Sequence, residues 1–344
     1  MAQFGNDYLA GCHPAILDAL TASNLEQTAG YGLDPYSEAA RTTIRALVGD
    51  AAADVHFLVG GTQTNATVIA SILRPWQGVI AADSGHIATH ETGAIEAHGH
   101  KVLTLPGTDG KLTAAQVQDF MESYWLASGI KEHIVQPGML YLSQPTEFGT
   151  VYSKAELTAI AQTCRHYCLP LFIDGARLGY ALAPDVSDVT LPDLAALCDV
   201  FTIGGTKCGA LFGEAVVITN DAYKEHFRAM MKRGGGLLAK GRLLGIQFEV
   251  LLRDGLYQRI CAAALAYARE IRAAFAAKGV DFYGASTTNQ QFPILDSAQA
   301  DYFQRAFGFA YWQAHGDKHV LRYCTSWATT AEDVRELLDA IARL

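Results

Sequence analysis

Short apolar runs alternate with longer amphipathic stretches through the middle of the chain, and this alternation admits few folds. VHFLVG (55–60), VIAA (79–82), KVLTLP (101–106), GMLYLSQ (138–144), LPLFID (169–174), CDVFTIGG (198–205) and EAVVIT (214–219) read as strands. TNATVIASIL (64–73), ATHETGAIEAH (88–98), LTAAQVQDFMESYW (112–125) and SKAELTAIAQTCRHY (153–167) read as helices between them. Strands that are apolar throughout are covered on both faces, so the pattern predicts an α/β fold with a mostly parallel sheet. Ligands of such sheets sit at the carboxyl ends of the strands.

From about 222 to 278 the pattern is long and helical, broken by RGGG (233–236) and including LAYAREIRAAFAAKG (265–279). It changes after Gly279. VDFYG, QQFPIL and VLRYCTSW (320–327) read as short strands, and TAEDVRELLDAIARL (330–344) closes as a helix with Thr330 as its N-cap. The division expected is an N-terminal arm (1–25), a large domain (26–250) and a small α+β domain (251–344) with the arm packed against it.

Composition excludes several classes. Hydrophobic residues make up 50% and charged residues 18% of the 344, which disordered chains do not match. The net charge is −9 and no long basic run is present, so nucleic acid is not an expected partner. No apolar stretch approaches the roughly 20 residues of a membrane span, and Met1 to Cys12 lacks the cationic start and apolar core of a signal peptide. The expected location is cytoplasmic. Cys164 and Cys168 flank His166, but a zinc site needs three or four convergent ligands. Reduced, partly buried thiols and no metal are expected.

Lys207 in IGGTKCG follows an apolar strand and sits among glycines. Taken alone it reads as a surface loop lysine, although lysines are rarely placed at buried strand ends. Two further segments change that reading. IDGAR puts Asp174 at the end of a strand, where an anion can keep a pyridine nitrogen protonated, and puts Arg177 where it can meet a carboxylate or a phenolic oxygen. VGGTQTN (59–65) runs a strand through Gly60, Gly61 and Thr62 into a helix, and bare amides there bind phosphate. It has neither a Walker lysine nor the spaced glycines of a dinucleotide loop. His86, just after VIAA, is a flat side chain able to stack on a ring, and His90 and Glu91 lie one helical turn on.

These motifs, from FGNDYLAGCHP through YGLD, GGTQTN, SGHIATHETGA, SQPTEFGTVY, IDGAR and GGTKCG to LRYCTSW, span nearly the whole chain. Their order and wording resemble the fold-type-I pyridoxal-5'-phosphate (PLP) enzymes of the threonine aldolase and β-eliminating lyase group. The likeness is to its low-specificity L-threonine aldolase and phenylserine aldolase branch. The resemblance implies a seven-stranded large domain and a Schiff-base lysine at Lys207, with Asp174 at the pyridine nitrogen. Gly61, Thr62 and Thr206 would hold the phosphate, His86 would stack on the ring, and Arg177 would reach the cofactor or the substrate. Arg177 and Arg322, helped by Asn6, would bind the substrate carboxylate. His86 and His90 would serve the proton transfer, and Tyr31 would reach into the site of a neighbouring subunit in a dimer or tetramer.

The chain departs from the wider group at Asn6, at Leu33 in YGLD and at Glu147. Glu147 stands where many members have histidine, but glutamate is usual in the branch named. At the position of His90, that branch often has an acid. The activity implied is cleavage of L-threonine, L-allo-threonine or phenylserine to glycine and an aldehyde. β-Elimination on the same cofactor, or an inactive protein of the same fold, would leave the same motifs.

Overall fold

A computed structural model describes residues 2–127, 129–183 and 185–344. The seven expected strands form one sheet: β1 (Asp54–Leu58), β2 (Gln77–Ala82), β3 (Val102–Leu105), β4 (Gln136–Ser143), β5 (Leu171–Asp174), β6 (Val200–Gly204) and β7 (Glu214–Ile218). Their order is β1-β7-β6-β5-β4-β2-β3. β7 runs antiparallel to both of its neighbours, and the other pairings are parallel. The sheet is thus mostly parallel, as its apolar strands require.

Each strand divides its apolar residues between two layers of helices. Val55, Ile80, Leu140, Ile173, Phe201 and Val217 point into one core. Val79, Tyr141, Phe172, Val200, Val216 and Ile218 point into the other. Period-2 geometry does this without any polar face, which is why the strands read as continuous apolar runs.

The second, smaller sheet contains β8 (Gln290–Gln291), β9 (Ile294–Leu295), β10 (Ala310–His315) and β11 (Lys318–Cys324), with antiparallel pairing throughout. Its core gathers Phe275, Phe303, Phe309, Leu321 and Leu337, together with Phe4 of the arm. The arm is stitched in by two backbone bonds, Phe4 N–H to the Phe307 carbonyl (2.8 Å) and Cys324 N–H to the Phe4 carbonyl (2.7 Å). The helix Leu256–Ala277 bridges the two units. Tyr257, Cys261 and Leu265 belong to the large core, and Ile271 and Phe275 to the small one.

Two local expectations need correction. The stretch 88–98 is not one helix but two single turns, His86–Thr89 and Ala94–Ala97. Thr92 (φ 51°) and Gly93 (φ 73°) adopt the left-handed conformation between them, which ends an α-helix. VDFYG forms only an isolated bridge, Phe282 to Pro293. No helix is long and apolar enough to cross a membrane, and no metal-binding cluster occurs among the described residues.

Candidate active site

β1, β4, β5 and β6 deliver their carboxyl ends to one cavity of about 330 Å³, and β7 delivers its amino end. Glycines make this convergence possible. A methyl group on Gly175 would run into the Thr202 carbonyl, and one on Gly204 into the Ala176 carbonyl. Only hydrogen at these Cα atoms lets the ends of β5 and β6 lie so close.

Asp174, the last residue of β5, is buried in the cavity wall. Its Oδ2 accepts hydrogen bonds from Tyr141 Oη (2.6 Å) and Asn65 Nδ2 (2.9 Å), and its Oδ1 accepts one from the Ala176 amide (2.9 Å). Three donors thus converge on this one carboxyl group. Burial, followed by the charge of Asp174, raises the Tyr141 hydroxyl well above its ordinary range, so it stays a donor.

The same Asn65 amide donates to Glu91 Oε1 (2.7 Å), and that oxygen also meets His86 Nδ1 (2.8 Å). A carboxylate on Nδ1 places the hydrogen there and leaves Nε2 as the free imidazole nitrogen. The His86 amide donates to Glu147 Oε1 (2.9 Å), which Ser143 Oγ also reaches (2.6 Å). Burial pushes the Glu147 carboxyl upward, and its Oε2 has no partner among the described residues.

Lys207 is half-buried and lines the cavity. Burial first, then the charge of Arg177, lowers its amine below the ordinary lysine value, and this favours the nucleophilic form. Arg177 is gripped by Asp7 through two bonds, Nε to Oδ2 (2.6 Å) and Nη2 to Oδ1 (3.0 Å). Asn289 Nδ2 adds a third bond to Asp7 (3.0 Å). Burial opposes both charges, but each outweighs it for the other: Asp7 is held below its usual range and Arg177 above its own.

The phosphate expectation can be tested on backbone. The helix Gly61–Ile72 starts with Gly60 as N-cap and no side-chain cap. Nothing lies within 4 Å of where a Cβ would stand on Gly60 or Gly61. The first helical amide to close is Thr64 N–H, onto the Gly60 carbonyl (3.0 Å). An open glycine cradle with unclosed amides beside it fits a phosphate. A half-buried lysine, a carboxylate supported by three donors and this cradle together form a donor set that fits PLP.

The cavity brings together Gly61, Thr62, His86, Asp174, Arg177, Thr206 and Lys207. It leaves four expected residues outside its lining. Arg322 sits on β11 and donates to Asn6 Oδ1 (2.5 Å) and the Gly5 carbonyl (3.1 Å), so these two candidates hold each other. His90 is exposed and stacks on His86, with ring centroids 5.6 Å apart. Partial burial, then the nearness of His86 and of the cations Arg322, Lys207 and Arg177, push its imidazole below the ordinary value. Tyr31 is exposed beside a separate cleft, with Lys232 Nζ 4.8 Å from its ring centre.

Sequence reading missed Asp7, Asn65, Tyr141 and Glu214. Asp7 adjoins the candidate Asn6, and Glu214 is an acid heading an apolar strand; both are visible signals. Asn65 and Tyr141 look like ordinary helix and strand residues until the fold turns them toward Asp174.

The chain is similar to several known proteins. A low specificity L-threonine aldolase of Pseudomonas aeruginosa is 31% identical over 341 residues, covering 97% of this chain and 95% of that protein. A solved threonine aldolase of Leishmania major superposes with a TM-score of 0.96 at 44% identity, over 100% of this chain and 99% of that one. Cystalysin from Treponema denticola, solved with PLP, shares the fold (TM-score 0.71, 15% identity, 99% of this chain and 91% of that one). The family model described as β-eliminating lyase matches residues 3–298, and the chain belongs to that family.

Proposed function

We propose that this protein is a PLP-dependent aldehyde-lyase that cleaves L-threonine, L-allo-threonine and related β-hydroxy-α-amino acids to glycine and an aldehyde. The observation that carries this reading is the convergence of Lys207, Asp174 and the Gly60–Gly61 cradle in one cavity. Full-length likeness to aldolases that are 31% and 44% identical supports it. PLP, when bound, supplies a protonated ring that takes up the electron pair left as Cα–Cβ breaks.

The chain's own residues do the rest. Lys207 Nζ would hold the cofactor covalently until an amino substrate displaces it. Asp174 would keep the ring nitrogen protonated, with Tyr141 and Asn65 holding its carboxyl group in place. Gly61, Thr62 and Thr206 would hold the phosphate. Arg177, clamped by Asp7, would pair with the substrate carboxylate, with Arg322 and Asn6 as the second arm; a planar fork fixes the substrate's orientation as well as its charge. His86 Nε2 would take the proton from the β-hydroxyl, with His90 stacked behind the ring. An oligomer, dimer or tetramer, with Tyr31 lent to a neighbouring site completes the proposal. A cytoplasmic location fits seven free cysteines.

Incubating the loaded protein with L-threonine, L-allo-threonine and phenylserine, and identifying the products, tests the reaction. Glycine with acetaldehyde or benzaldehyde is expected. A 2-oxo acid with ammonia would make the protein an eliminating lyase instead.

A further inference from the structure

Asn65 is buried on the helix that opens at the Gly60–Gly61 cradle, and its side chain stands between two acids. Its Nδ2 donates to Asp174 Oδ2 on one side (2.9 Å) and to Glu91 Oε1 on the other (2.7 Å). An amide nitrogen has two hydrogens, and both are spent here. The reverse orientation would set the amide oxygen against both acids. In the orientation present, Oδ1 is buried with no hydrogen-bond partner among the described residues. A buried polar atom left unpaired is costly, and an apolar side chain of the same size would avoid that cost. The two donor bonds are what this side chain contributes.

Glu91 depends on one of them. Its side chain is fully buried, and Oε1 meets both Asn65 Nδ2 and His86 Nδ1, while Oε2 has no partner among the described residues. His86 opens a single helical turn, His86–Thr89, which is too short to be rigid by itself. Among the described residues its ring has one hydrogen bond, to Glu91 (2.8 Å), and one stacked neighbour, the exposed His90. We propose that Asn65 is a positioning residue: it fixes the His86 ring through Glu91, and with its second hydrogen it ties that ring to the acid at the cofactor nitrogen. Support then runs from a 12-residue helix, through one amide and one carboxylate, to an imidazole on the cavity wall. This assignment rests on the proposed placement of His86 and Asp174 beside PLP.

The His86 ring reports on the link directly. In the PLP-loaded protein, an imidazole N–H held on a carboxylate should give a proton resonance far downfield, identified by its loss in His86→Phe. Asn65→Leu keeps the volume and removes both donors. The resonance should then move or vanish while the visible absorbance band stays. Turnover of L-threonine should fall roughly 100-fold, as for a group misplaced by about 1 Å, with KM little changed. A loaded Leu variant that keeps the wild-type resonance overturns the proposal, and so does a wild type that lacks one.

A second readout separates this link from a packing effect. Combined in one chain, Asn65→Leu and Glu91→Gln should lower kcat by less than the product of their separate effects, because one acts through the other. Effects that multiply in full overturn the proposal. Should Asn65→Leu fail to fold, Glu91→Gln takes its place in loaded protein with isotope-labelled asparagine. It should displace the Asn65 amide signal together with the His86 resonance, and an Asn65 signal that does not respond overturns the proposal. A wild type that cleaves none of the β-hydroxy amino acids would overturn the aldolase reading alone, since the resonance and the amide signal still decide the role of Asn65.

Discussion

Single side chains in this site are set by partners behind them, and substitutions should report on those partners. Lys207→Ala should remove the visible band and nearly all turnover, as absorbance and product assays would show. Asp174→Asn keeps the shape and loses the charge. Turnover should fall roughly 100-fold or more, the usual effect of losing one charge-stabilising group, while the cofactor stays on Lys207. Asp7→Asn leaves Arg177 as a buried charge without its anion. Breaking such a pair costs about 3–5 kcal/mol in denaturant unfolding. The pH sign follows from the lowered folded-state value of Asp7. The stabilisation is fully present above the unfolded carboxyl value, about 3.9, and is lost as pH falls through the lower folded one. The gap between wild type and Asp7→Asn should therefore hold near neutrality and close only in strong acid. Of these residues, Lys207, Asp174 and Arg177 were legible because each ends a strand or follows one closely. Asp7 was marked only by its neighbour Asn6; its pairing with Arg177 could not be read, because that partner lies far away in sequence.

At the scale of elements, caps and glycines carry the local code. Thr330 caps the final helix in a reciprocal box with Asp333, donor and acceptor on both sides. Thr330→Ala should cost about 1 kcal/mol, read by thermal or urea unfolding, with activity unchanged. The helices near 112–125 and 153–167 were legible, since apolar residues at helical spacing and a capping residue, Thr113 or Ser153, agree there. The segment 88–98 was not. Its composition suits a helix, and the left-handed pair Thr92–Gly93 that splits it has no signature beyond one glycine. That split has a consequence for the site: it lets Glu91 drop beneath His86 instead of continuing outward along a helix face.

Across the whole molecule, the fold class followed from alternating runs, but the assembly of the substrate side did not. Asn6 and Arg322 come from opposite ends of the chain and meet only because the arm enters the small core through Phe4. Tyr31 lines a separate cleft and not the cavity of its own chain, so its proposed role requires a second copy. Mixing inactive Lys207→Ala protein with Tyr31→Ala protein should restore activity as subunits exchange, because some mixed sites then hold both native residues. A mixture no more active than its parts would remove Tyr31 from the neighbouring site. The account as a whole turns on one covalent bond. Reducing the PLP-loaded protein with borohydride and mapping the modified peptide by mass should find the added cofactor on Lys207, in the peptide that contains IGGTKCG. Cofactor fixed to any other lysine, or to none, would contradict it.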